Sequence, residues 1–199
     1  MPPLKAILEA ALLAAAEPVS IERLAALFDE EQRPSLDTVR TALLELGRDY
    51  EGRGMELVEV ASGFRVQVPQ SFAPWVSRLW EERAARYSRA LLETLALIAY
   101  RQPITRGEIE EVRGVSVSTT TIKTLLERGW IKVLGHREVP GRPALYGTTR
   151  EFLDYFNLKN LAELPPLAAI RDLDLIGAEL ESRRAAAEPP TGAASEQNS

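Results

Sequence analysis

The chain of 199 residues has no cysteine, one histidine and two methionines. Without cysteine there is no disulfide and no thiolate metal site, which fits a reducing compartment. A lone His136 cannot form the histidine pair of common zinc sites, and no H-E-x-x-H occurs. It lies beside Arg137 on an expected hairpin, away from any nucleophile it could activate. Walker-type phosphate loops are missing too, because GRPALYGTT lacks the lysine that would reach a phosphate. Glu110 and Glu111 are sequence neighbours on one expected helix, so they do not share a face and make no acid–base pair. The expectation is a protein that is not an enzyme, with no catalytic residue, no metal and no cofactor.

Long apolar runs are also lacking. None reaches the roughly 18 residues that span a bilayer, so no membrane partner is expected. The N-terminus, MPPLKAILEAALLAAAEP, imitates a secretion signal, but Glu9 interrupts the apolar stretch and a helix explains the pattern better. Charge of one sign is lacking as well. The net charge of −5 is distributed as −4 over residues 1–80, +3 over 81–160 and −4 over 161–199. Dedicated DNA-binding domains are usually strongly basic, and the middle third is only mildly so.

What the chain does contain is a repeated plan. Leu4, Ile7, Leu8, Ala11 and Leu12 fall at helical spacing, and Pro18 stops that helix. Ser20 caps a second helix, with Arg23 where a capping box would carry Glu. Ser35 or Asp37 caps a third. Leu57, Val58 and Val60, then Phe64, Val66 and Val68, read as two strands turning at Ser62-Gly63. A segment rich in aromatics follows, with Phe72, Trp75 and Trp80. Shifted by 85 residues, Pro18-Val19-Ser20 falls on Pro103-Ile104-Thr105, and Leu12-Leu13-Ala14 falls on Leu97-Ile98-Ala99. Ser118–Arg128 is then the third helix of the second copy. Residues 129–149 form its hairpin, with Pro140, Gly141 and Pro143 at the turn.

Helix, helix, helix and hairpin, twice over, predicts an α+β, mostly helical chain of two tandem winged-helix domains. The expected boundaries are 1–80 and 81–160, joined by the charged segment Glu81–Arg86. A C-terminal extension spans 161–199 and is expected to be disordered from about residue 181, where little is left to bury.

Two uses of the second hairpin remain open on these residues. Lys132, His136, Arg137 and Arg142 suit phosphates, and they suit a protein interface equally. The expected recognition helix offers Thr120, Lys123, Thr124 and Glu127, a poor set for reading bases. The aromatics Trp75, Trp80, Trp130, Phe152, Tyr155 and Phe156 exceed what two small cores need, which favours protein contact. A winged-helix DNA-binding transcription regulator is the alternative reading.

The run GHREVPGRPALYGTTREFLDYFNLKNLAELPPL resembles the segregation and condensation protein B family. So do Leu95-Ala96-Leu97-Ile98-Ala99-Tyr100, Gln102-Pro103-Ile104-Thr105, Glu108-Ile109 and Arg113-Gly114-Val115. The likeness covers roughly residues 4–168; the first copy matches by layout more than by motif. It implies a non-enzymatic scaffold subunit of a bacterial SMC–kleisin (condensin-like) complex acting in chromosome condensation and segregation during cell division. Partners implied are a second copy (homodimer), a kleisin of the segregation and condensation protein A type, and an SMC ATPase reached through the kleisin. DNA contact would be indirect or weak, and the location cytoplasmic and associated with the nucleoid. Candidate residues for the partner interface or the wing are Trp130, Lys132, Arg137, Arg142, Tyr146, Phe152 and Phe156. The Ala/Leu-rich first helix and the following aromatics suggest Leu4, Leu8, Leu12, Trp75 and Trp80 for the dimer interface. Gly141 and Gly147 are expected to supply positive φ or close backbone approach, and Thr148 or Thr149 to cap the next helix.

Overall fold

Apolar spacing and capping residues set the helices of the first half. The structure is a computed structural model that describes residues 2–79 and 87–165. Helix α1 (Leu4–Ala14) turns Leu8 and Leu12 inward, four residues apart on one stripe. Helix α2 (Ile21–Ala25) starts after Ser20, whose hydroxyl accepts from the Arg23 amide at 3.3 Å. Helix α3 (Leu36–Asp49) begins at Ser35, which accepts from the Thr38 amide at 3.1 Å, so Ser35 rather than Asp37 is the cap. It buries Val39, Ala42, Leu43 and Leu46.

Strands β1 (Glu56–Val60) and β2 (Gly63–Gln67) pair antiparallel, with Val60 opposite Gly63. The loop is therefore Ala61-Ser62, one residue earlier than Ser62-Gly63. Gly63 is drawn into the strand because Phe64 exchanges two backbone hydrogen bonds with Val19, each 2.8 Å. Short helical turns, including α4 (Ala73–Val76), complete residues 70–79.

The second half repeats the order. Helices α5 (Arg89–Arg101), α6 (Arg106–Arg113) and α7 (Thr119–Glu127) precede the hairpin of β4 (Ile131–His136) and β5 (Ala144–Thr148). The two-residue strand β3 (Ile104–Thr105) joins the sheet in the order β3-β5-β4. It occupies the place that the Val19–Phe64 bridge holds in the first half. Thr105 caps α6 with a complete box: its hydroxyl takes the Glu108 amide, and the Glu108 carboxylate takes the Thr105 amide at 2.8 Å. The first half has Arg23 at the equivalent place and makes only one of those bonds. Helix α8 (Arg150–Tyr155) follows β5, capped by Thr149 rather than Thr148.

Two buried clusters result. One gathers Leu8, Leu12, Leu24, Val39, Leu43, Leu46 and Phe64 from the first half. The other gathers Leu95, Ile98, Ile109, Leu125, Trp130, Ile131 and Phe152 from the second. Each fully buried Leu or Ile contributes about 1.5–3 kcal/mol through apolar surface removed from water. The expected linker 81–86, Trp80 and the tail from residue 181 lie outside the described residues. Polar contacts join the first hairpin to the chain after β5, beginning with the Ala61 amide on the Leu158 carbonyl at 3.0 Å.

Candidate partner-binding surface

Trp130 sits where α7 ends and β4 starts, and it is only 3% exposed. Its ring meets Tyr155 at 4.7 Å, Tyr87 at 5.2 Å and Phe156 at 5.6 Å between centroids. Edge and tilted contacts of this kind let the positive ring edge meet a negative face. The Arg128 guanidinium lies 4.7 Å from the Tyr87 centroid and 5.4 Å from that of Trp130, closing the cluster from the solvent side. Phe152 is buried below and meets Phe156 at 4.7 Å between centroids in a tilted contact. These aromatics bind α8 to the base of the hairpin.

Of the residues expected at a partner interface, Trp130 and Phe152 are thus core residues and present no surface. Tyr146 and Phe156 are half-buried and packed against the same cluster. Lys132, Arg137 and Arg142 are exposed on the hairpin. The expected dimer residues divide in the same way. Leu8 and Leu12 are buried in the first core and Leu4 packs against it. The apolar stripe on α1 serves the core, so Leu8 and Leu12 are corrected to core positions, while Leu4 is half-buried at its edge. Trp75 stands 65% exposed.

Gly147 shows why the hairpin needs its motif glycine. A Cβ there would lie 2.5 Å from Leu134 Cδ1 and 2.8 Å from Gln102 Oε1. The close approach lets the Gln102 amide reach across: its oxygen accepts from the Thr148 amide at 2.7 Å, and its Nε2 donates to the Thr148 hydroxyl at 2.9 Å. That ties α5 to β5. Gly141 answers the other expectation, with φ of 86° in the turn.

Two of the four hairpin side chains offered to phosphate, Arg137 and Arg142, hold carboxylates, as does Lys123 on α7. Arg137 reaches Glu108 at 2.6 Å, Arg142 reaches Glu138 at 2.9 Å and Lys123 reaches Glu127 at 3.5 Å. Hydrogen bonds from the Thr105 amide and hydroxyl, then Arg137, hold the Glu108 carboxyl below its usual range against the opposing effect of burial. Glu93 on α5 is held down first by the Arg113 guanidinium at 2.8 Å.

Apolar side chains are the ones left outward. Val133 and Leu134 stand 46% and 50% exposed on β4, where a register shift between Val133 and Gly135 interrupts the alternation. Val139 is exposed in the hairpin turn, and Val112 and Val115 are exposed at the end of α6. Leu13 and Leu79 are exposed in the first half. None of these stood out from the sequence as interface residues. The adjacent pair Val133-Leu134 was the available signal, because a strand with one covered face must turn one of two apolar neighbours outward.

Among the described residues, no group of three or more His, Asp or Glu side chains could hold a metal. No helix among them is long and apolar enough to cross a membrane. The second half thus carries buried aromatics, exposed aliphatic side chains and ion-paired arginines.

Residues 6–167 match the family model described as segregation and condensation complex subunit ScpB. The chain is 62% identical over 175 residues to a segregation and condensation protein B homolog of Coxiella burnetii, covering 88% of this chain and 84% of that one. It is 45% identical over 172 residues to segregation and condensation protein B of Syntrophotalea carbinolica, covering 85% of each. A crystal structure described as ScpB from Mycobacterium tuberculosis is 35% identical, covering 78% of this chain and 95% of that one, with a TM-score of 0.36.

Proposed function

Because this chain belongs to the segregation and condensation complex subunit ScpB family, we propose that it is a scaffold subunit of the bacterial segregation and condensation complex, working in chromosome segregation without catalysis of its own. The match over residues 6–167 carries the reading, since it runs through both halves and the whole second hairpin. Each half is a winged-helix domain, with boundaries near residues 80 and 160. The second hairpin and the end of α6 dock a kleisin of the segregation and condensation protein A type, which links the subunit to an SMC ATPase. The first half pairs with a second copy through its exposed apolar residues Leu13, Trp75 and Leu79 rather than through Leu4, Leu8 and Leu12. The protein acts in the cytoplasm at the nucleoid, and its contact with DNA is indirect.

The supporting geometry is the exposed Val133-Leu134 pair set on a rigid aromatic base, flanked by arginines that already hold carboxylates. Engaged arginines favour a protein partner over the phosphate backbone of a transcription regulator's operator. Co-purification of the full chain with the cognate kleisin tests the proposal. A stable complex at micromolar concentration that Leu134→Glu abolishes is the expected result. No complex with the kleisin, together with tight and steeply salt-dependent binding to one duplex sequence, would replace the scaffold by a regulator.

A further inference from the structure

The first hairpin does not end in solvent. Its two-residue loop carries amides that an isolated hairpin would leave to water, and both have partners about ninety residues away. Ala61 donates to the Leu158 carbonyl at 3.0 Å and Ser62 to Asp154 Oδ1 at 2.9 Å. Arg65, on β2, reaches the same place from the side. One of its terminal nitrogens donates to the Asp154 carbonyl at 3.0 Å and to Asn157 Oδ1 at 2.5 Å. The Asp154 carbonyl belongs to the last turn of α8, where it also accepts from the Asn157 amide at 3.3 Å and where a cation is favoured.

Arg65 is held in that pose from behind. Its Nε donates to Gln67 Oε1 at 3.1 Å, and Gln67 Nε2 donates to Glu56 Oε1 at 2.9 Å. Asn157 follows α8 with φ of 56°, a left-handed conformation that Asn tolerates. At the edge Lys159 meets Glu59 at 2.8 Å, and Arg40 of α3 meets the other oxygen of that carboxylate at 3.5 Å. The chain that receives the hairpin is anchored in the second core, since Phe152, Leu153, Tyr155, Phe156 and Leu158 all pack on it.

We infer that residues 61–65 and 154–159 form an intramolecular clamp that locks the two halves of the chain into one orientation, with Arg65 as the bolt and Asp154 and Asn157 as its seat. The stretch Phe156-Asn157-Leu158, part of the family-like run, thereby has a role: its phenylalanine and leucine bind the second core while its asparagine holds the first half. The clamp does not require the kleisin reading. It makes any partner that touches both halves meet a single preset surface, which lowers the ordering cost of binding.

The test uses the full chain, which has no native cysteine. One cysteine replaces exposed Glu45 on α3 and another replaces exposed Glu111 on α6. Both are spin-labelled, and the sample is diluted with unlabelled protein so that only distances within one chain are read. Pulsed electron resonance should give one narrow distance, and Arg65→Ala should lose it to a broad distribution. Asn157→Gly removes the seat while keeping a residue suited to positive φ, and it should broaden the distance likewise. Unchanged helical circular dichroism in both variants confirms that the halves remain folded. A broad distribution in the parent, or a narrow one that survives both substitutions, would overturn the clamp.

Discussion

Gly63→Ala is the most severe single-methyl change in the first half. The new Cβ would lie 2.3 Å from the Val19 carbonyl oxygen, 2.4 Å from its carbon and 2.6 Å from the Ser20 nitrogen, and Gly63 has φ of 138°. All three clashing atoms are backbone. Neither chain can step aside cheaply, because Val19 and Phe64 are buried and exchange two 2.8 Å hydrogen bonds. Holding alanine at that φ costs about 1–3 kcal/mol. Opening the bridge to relieve the overlap forfeits two backbone bonds at about 0.5–1.5 kcal/mol each. The total is about 2–6 kcal/mol, a large share of the 5–15 kcal/mol typical of a whole domain. At about 4–8 °C per kcal/mol for a domain of this size, the first half's thermal transition should fall by at least about 8 °C.

Scanning calorimetry of the full chain measures this, with two controls. Gly147→Ala meets the tip of half-exposed Leu134, which can swing away, and the Gln102 amide, so its cost should be about 1–2 kcal/mol, mainly the weakened hydrogen bond. Gly54→Ala meets nothing within 4 Å and should be neutral or slightly stabilising. A Gly63→Ala protein within about 1 kcal/mol of the parent, or one no worse than Gly147→Ala, would refute the argument that fixed backbone decides the cost.

Trp130→Ala should cost about 3–5 kcal/mol, unfold the second half first and collapse its near-ultraviolet circular dichroism, because the ring is buried among Tyr87, Tyr155 and Phe156. Trp75→Glu should leave the far-ultraviolet circular dichroism unchanged yet shift the oligomer toward monomer in analytical ultracentrifugation, since that ring is exposed. The folded state depresses the pKa of Glu108 and Glu93 below 4.5, through the Thr105 amide and the Arg113 guanidinium respectively. Their stabilisation is therefore complete above that ordinary value and lost as pH falls through the lower folded values. Melting temperature should fall in acid below about pH 4.5, and Glu108→Gln with Glu93→Gln should flatten the fall. Burial, then the hydrogen bond to Glu9, pushes the Tyr50 phenol up to about 12. Its ultraviolet ionisation should come late in an alkaline titration, and Tyr50→Phe should remove that late step.

Local chemistry was legible in residue order. Ser20, Ser35, Thr105 and Ser118 mark helix starts because a cap satisfies amides within three residues of itself, so neighbours alone decide it. The duplicated order of elements was legible from the same local signals. The motif run through residues 135–165 identified the family. Tertiary structure had to decide the direction in which each apolar stripe faces. Leu8 and Leu12 fit helical spacing whether they meet a core or a second copy, and only packing against α3 made them core. It also moved the first hairpin's turn by one residue, since the bridge from Val19 to Phe64 claims Gly63 for the strand. The seat of Arg65 was beyond any local rule. Its partners lie 89 and 92 residues away, and no periodicity or cap relates positions that meet only after both halves have folded.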